Sequence, residues 1–157
     1  MRTIIFILAA VMLLSICGCS VPSKAVKIYF FKADQLIAVE RDLPTIENPV
    51  VIAIDQLLRG PNEQESAQGI TTKIPTGTRS RNVDVEGNTA IVDLNSTLLE
   101  FEGGSSEANG IVAQIVYTAT SVRGIKQVIL KLQGSDQFVI GPGYVIDHPL
   151  EKGDVKI

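Results

Sequence analysis

The stretch Arg81–Leu94, RNVDVEGNTAIVDL, constrains the fold more tightly than any other part of the chain. Two alternating runs flank Gly87-Asn88, a pair suited to a two-residue turn that needs positive φ. With that pair at the tip, Val85 lies opposite Ala90 and Val83 opposite Val92. Residues directly opposite share a face, so Val83, Val85, Ala90, Val92 and Leu94 form one apolar surface. Asn82, Asp84, Glu86, Thr89 and Asp93 fall on the other side, with Ile91 the exception. A slip of one residue would mix the two sets, so the register is well specified.

A helical pattern lies on each side of this hairpin, and both helices are expected to pack on its apolar face. Asn48-Pro49 opens the first, because Asn is a favoured N-cap and Pro is tolerated at the first helical position. Val50, Ile54, Leu57 and Leu58 recur at helical spacing, and Gly60-Pro61 supplies the stop. The β-branched run VVIAI also suits a strand, and the caps decide for helix. The second helix follows Gly103-Gly104-Ser105-Ser106, with a serine as its cap. Its stripe is Ala108, Ile111, Val112, Ile115, Ala119 and Val122, and it ends at Arg123-Gly124. Asn62 to Gln68 reads as a further short helix within a long polar connection that reaches Thr78. After the hairpin, Leu98, Leu99 and Phe101 are expected to tuck against the core.

Strands complete the pattern. Val26–Lys32 and Leu36–Arg41 read as a pair joined through Asp34-Gln35, with no register assignable because both faces carry apolar residues. Ile125–Leu132 returns as a strand with Val128, Leu130 and Leu132 inward, and Gly134-Ser135 turns the chain into Gln137–Ile140. Gly141–Ile157, punctuated by Gly and Pro, is expected to lie irregularly over the surface. The fold class expected is α+β, a mainly antiparallel sheet built around the central hairpin with two helices on one face.

Residues 1 to 18 read as a signal peptide. Arg2 provides the positive start, and Ile4–Leu14 is an apolar run too short for a comfortable membrane span. Ile16-Cys17-Gly18-Cys19 resembles the bacterial lipobox, with an aliphatic residue at −3, a small one at −1 and the obligatory cysteine. Cleavage is expected between Gly18 and Cys19, and lipid attachment at Cys19, whose thiol takes a diacylglyceryl group as a thioether. Cys17 at −2 is an imperfect but tolerated fit. An ordinary secretory signal and a Cys-x-Cys metal pair are the rival readings. Processing leaves a single cysteine, hence no intramolecular disulfide. Residues 19 to 25 form a tether that reaches about 20 Å at most when extended, so the domain 26–150 is expected close to the outer face of a bacterial membrane. Residues 151–157 form a C-terminal tail.

Composition excludes some roles. The 157-residue chain carries 14 Lys and Arg against 17 Asp and Glu, a formal net charge of −3. Nucleic acid is excluded as a partner, since phosphate neutralisation needs clustered basic residues. Lys73, Arg79 and Arg81 make one small basic cluster and are the candidate ligand-binding residues. The single histidine, His148 in Asp147-His148-Pro149, has no Gly-x-Ser-x-Gly elbow, His-Glu-x-x-His motif or cysteine ligand set with it, and adjacent residues rarely face each other productively. Gly103–Ser106 lacks the lysine of a phosphate cradle, and Asp93–Thr97 lacks the glycine and terminal glutamate of a calcium loop. Asp84, Glu86 and Asp93 form an open carboxylate face rather than a cleft. No catalytic residue, metal site or cofactor is assigned.

Taken together, Gln56-Leu57-Leu58-Arg59-Gly60-Pro61, Lys73-Ile74-Pro75-Thr76-Gly77-Thr78-Arg79, the hairpin Val83–Asn95, Ala113–Thr118 and His148-Pro149-Leu150 resemble the GerMN domain of sporulation and spore germination. The resemblance spans roughly Lys27 to Leu150. It implies an α+β domain in αββαβ order, related to the ring-building motifs of envelope secretion machinery. It also implies a non-enzymatic role, through envelope protein partners or self-assembly, in cell-envelope assembly, sporulation or germination. The spore-germination member carries two such domains in tandem, whereas this sequence shows one. Peptidoglycan or a peptide is the alternative ligand, bound through the Asn62–Thr78 loop with Lys73 and Arg79.

Overall fold

Alternation, caps and turn residues resolve into eight strands and three helices in a computed structural model that describes residues 24–43 and 48–156. The leader, Cys19 and the connector 44–47 lie outside the described residues. Strands β1 (Lys24–Lys32) and β2 (Gln35–Leu43) form an antiparallel hairpin, and helix α1 (Pro49–Arg59) and the short α2 (Glu63–Ala67) follow. The two-residue β3 (Ile70–Thr71) pairs with β1, giving a sheet of order β2-β1-β3. The central hairpin is β4 (Ser80–Glu86) and β5 (Thr89–Leu94). Helix α3 (Ser105–Ser121) then carries the chain to β6 (Gln127–Leu132), which lies parallel to β5 in a second sheet of order β4-β5-β6. A small hairpin, β7 (Phe138–Ile140) and β8 (Tyr144–Ile146), ends the strands.

The central hairpin has the expected register, with Val83 opposite Val92 and Val85 opposite Ala90. Gly87 at its tip has φ +61°, positive as the tight turn requires. Ala90, Val92 and Leu94 are wholly buried, and Val83 and Val85 pack half-buried against the same core. At the far end Ser80 pairs with Leu94 and Asn82 with Asp93, leaving Arg81 as the extra residue of a bulge. In α1, the Asn48 Oδ1 accepts from Val50 N at 3.0 Å, Pro49 sits in the first turn, and Gly60 closes the helix at φ +81°. Val50, Ile54 and Leu57 are buried as the spacing requires. The short helix α2 carries a full capping box between Asn62 and Glu65.

The architecture is α+β, but its helices do more than cover one face of the hairpin sheet. Helices α1 and α3 touch each other, and each touches a strand of both three-stranded sheets: α1 meets β1 and β4, α3 meets β1 and β6. The core is therefore shared between the two sheets through the helices. Several details depart from the sequence reading. The β1–β2 turn sits on Ala33-Asp34, one residue earlier than expected, with φ of +48° and +59°. The cap of α3 is Gly104, with no side-chain hydrogen bond, while Ser105 Oγ donates to Pro142 O at 3.3 Å. Leu99 is exposed, whereas Leu98 is buried and Phe101 packs on the core.

The C-terminal stretch is more ordered than its Gly and Pro content suggests. Ile146, Leu150 and Val155 are buried, and Leu150 bridges back to Val128 of β6. The Asn109 side chain of α3 pairs with the backbone of Lys156. The packed unit thus runs on to residue 156.

Candidate functional site

Strand β1 uses both of its edges, and the way it does so leaves one edge of the sheet open. On one side it pairs with β2 along its whole length. On the other, β3 reaches only Phe31 and Lys32. Beyond β3, α3 takes the place of a strand with side chains one turn apart. Gln114 Nε2 donates to Tyr29 O at 3.0 Å, Thr118 Oγ1 accepts from Tyr29 N at 3.0 Å, and Ser121 Oγ donates to Lys27 O at 2.9 Å. The Gln114 Oε1 also accepts from Lys73 N at 2.8 Å, so this wholly buried amide ties three elements together. Every buried polar atom there is paired, as a low-dielectric interior demands.

The strand left open is β2. Its ladder partner is β1 alone, and among the described residues no further backbone hydrogen bond reaches it. Its C-terminal half is guarded by charge: Arg41 turns inward, opposite Val26 of β1. There the guanidinium donates to Glu65, to Gln56 Oε1 at 2.9 Å and to the Gln56 and Gly60 carbonyls at 3.3 and 3.2 Å. It therefore closes the end of α1 and anchors α2. Burial pushes the Glu65 carboxyl up, but hydrogen bonds from Arg41 and the Asn62 N–H, with the Arg41 charge, outweigh it. The group is held below its ordinary 4.5. An inward-pointing charge on an edge strand discourages indiscriminate pairing. The first half, Gln35 to Val39, carries no charge and is the part of the edge fit to receive another strand.

The three basic residues of the sequence cluster are engaged separately. Lys73 Nζ meets Glu107 at 2.8 Å and lies 4.9 Å from the centre of the Phe31 ring, so it is a packing element between the long connection and α3. Arg81 reaches Asp93 at 3.3 Å across the bulge. Arg79 forms no ion pair among the described residues; it lines a depression of about 550 Å³ with Asp55, Arg59 and Ser80. Its backbone N–H is fixed by Asn95 Oδ1 at 3.0 Å. Asp147 and His148, expected to face apart as neighbours, do meet, at 2.7 Å. The pair is more than half exposed, and its hydrogen bond raises the imidazole above its ordinary 6.5. Among the described residues no set of three His, Cys, Asp or Glu is placed to hold a metal ion, and no helix is long and apolar enough to cross a membrane.

Sequence reasoning missed Gln114 and Thr118 as the helix's bridge to β1. The signal was present: 114, 118 and 121 are polar positions at helical spacing in α3.

Comparison with known proteins places this architecture. Residues 27–137 match the family model Germane, described as sporulation and spore germination. No functionally curated protein matches the sequence. Among solved structures, the chain is similar to the first GerMN domain of the sporulation protein GerM from Bacillus subtilis. There the TM-score is 0.68 at 22% identity, covering 83% of this chain and 98% of that one. Against the tandem GerMN domains of the same protein the TM-score is 0.68 at 18% identity, covering 85% of this chain but 47% of that one, so this chain spans about half the tandem protein. A putative lipoprotein from Clostridium perfringens gives a TM-score of 0.57 at 18% identity, covering 85% and 90%. These likenesses, on a family match that covers most of the chain, establish that the protein belongs to the GerMN family associated with sporulation and spore germination.

Proposed function

We propose that this protein is a lipid-tethered, non-enzymatic assembly module on the outer face of a bacterial membrane, serving sporulation or spore germination. The Ile16–Cys19 lipobox supports the tether, with Cys19 acylated after cleavage behind Gly18. A diacylglyceryl group supplies two chains, and each buried methylene contributes about 0.8 kcal/mol, so two chains hold a protein durably where one does not. The family supports the setting and offers no catalytic motif to match. The observation that carries the assembly role is the unpaired edge of β2, uncharged from Gln35 to Val39, on a sheet whose other side α3 closes. Such an edge accepts a strand from another protein or from a second copy, with main-chain hydrogen bonds giving affinity. Photo-cross-linkers placed at Gln35 and Ala38 in living cells are expected to trap one discrete partner, and the same probe at exposed Glu102, outside any strand, to trap none. Uniform background at all three positions would remove the edge from the account.

A second reading, binding of peptidoglycan or a peptide, has one observation in its favour: Arg79, beside a 550 Å³ depression, forms no ion pair among the described residues. Arg79→Ala should then lower retention on purified cell wall by at least threefold; unchanged retention argues against it.

A further inference from the structure

A cleft of about 680 Å³ opens beside the first residues of β1, between that strand and the end of α3. Three cations from three elements line it: Lys27 of β1, Arg123 just past α3, and Lys152 of the C-terminal stretch, and among the described residues no carboxylate lines it. Glu40 is the cross-strand neighbour of Lys27, yet no ion pair forms at any of the three among the described residues. Elsewhere among the described residues Arg41, Arg59, Lys73 and Arg81 are each matched to a carboxylate, while Lys32, Arg79, Lys126, Lys131 and Lys156, which also form no ion pair, lie outside this cleft. Arg123 also complements the negative end of the α3 dipole. That accounts for one of the cations and leaves Lys27 and Lys152, which come from other elements.

The remaining wall narrows the ligand class. Lys152 Nζ lies 5.1 Å from the centre of the Tyr117 ring, and Tyr117 packs edge-on to Tyr29, itself in the wall. The carbonyls of Thr120 and Ser121, at the open end of α3, receive no hydrogen bond from the described backbone. Three cations lining one cleft call for an anion; carbonyls without a backbone donor beside them call for hydroxyl donors. The volume falls within the 300–1,000 Å³ or so typical of small-molecule sites.

We propose that this cleft binds a phosphate ester carrying free hydroxyls, a glycerol-phosphate type of group. Lys27, Arg123 and Lys152 hold the phosphate, and the final carbonyls of α3 accept from the polyol. That group has two sources, the headgroup of an anionic lipid or a soluble polyol phosphate. Ala25, in the cleft wall, is six residues from Cys19, so an acylated Cys19 would bring the cleft within about 20 Å of a bilayer. The assignment itself does not depend on that acylation, because the soluble ligand reads the cleft with or without it.

The test uses the full chain in neutral detergent, titrated with glycerol 3-phosphate and followed through the backbone amide shifts of residues 25–29 and 120–123. In a second arm the same protein sits in phosphatidylcholine vesicles with or without phosphatidylglycerol. A saturable shift in these residues is expected in at least one arm, and the arm that responds identifies the source. Lys27→Gln with Arg123→Gln should weaken binding at least tenfold while core amide shifts stay in place; adding Lys152→Gln should abolish it. Three results would overturn the proposal: no saturable shift in either arm, binding indifferent to these substitutions, or equal affinity for ethyl phosphate, which has the charge without the hydroxyls.

Discussion

Gln114 is the residue on which most of the interior polar order converges. It is wholly buried, donates to Tyr29 O and accepts from Lys73 N and Thr72 Oγ1. Gln114→Leu keeps the volume but strands a buried carbonyl and a buried N–H, each costing about 1–3 kcal/mol. A lower urea midpoint with unchanged slope is the expected outcome; a midpoint within experimental error of the parent would show that the helix does not need this bridge. Arg41 and Glu65 form the second such centre, with side chains 15% and 10% exposed. Glu65→Gln leaves a largely buried guanidinium without its counter-charge and should destabilise by about 1–3 kcal/mol at pH 7. Because the folded Glu65 titrates below its ordinary value, its contribution is complete above pH 4.5 and disappears as pH falls through the folded value. Urea unfolding of both proteins at pH 7 and near pH 3 should therefore show the difference shrinking with acid. A constant gap would assign the effect to shape rather than charge.

At the level of elements, the β1–β2 turn is the place where local preference and structure conflict. Both Ala33 and Asp34 adopt positive φ, at +48° and +59°. A left-handed conformation costs a residue with a Cβ roughly 1–2 kcal/mol, less for Asn or Asp. Ala33→Asn should raise stability by about 0.5–1 kcal/mol, read as a higher melting temperature; a lower one would mean the turn is held by something other than its own backbone. This conflict also explains why the turn was displaced in the sequence reading. Alanine carries no turn signal, and apolar residues on both faces of β1 gave no register. By contrast β4–β5, α1 and α2 were legible, because alternation, Gly87, the Asn48-Pro49 start and Asn62 each name their own geometry. The pair β7–β8 was only half legible, since three-residue strands are too short for periodicity to show. The open edge of β2 could not be read at all. It follows from which strands pair with β1, a long-range fact with no local signature.

The whole molecule closes on itself through its last residues. Val155 is buried and the backbone of Lys156 is paired with Asn109, so a chain truncated after Leu150 should lose about 1.5–3 kcal/mol from the exposed valine pocket. Its unfolding midpoint measures this directly, and an unchanged value would return residues 151–156 to the status of a tail. The folded unit also has a direction. Its first described strand begins five residues after Cys19, so an acyl group there fixes which end meets the bilayer. The orientation of the β2 edge relative to a bilayer would follow from that attachment, whereas the cleft beside Lys27 takes its ligand with or without it. The decisive measurement is the mass of the N-terminal peptide of protein isolated from its own membrane fraction. A peptide that begins at Cys19 and carries a diacylglyceryl group is the expected result. One that begins elsewhere, or ends in a free thiol at Cys19, would contradict the tether and with it the proposed place of work.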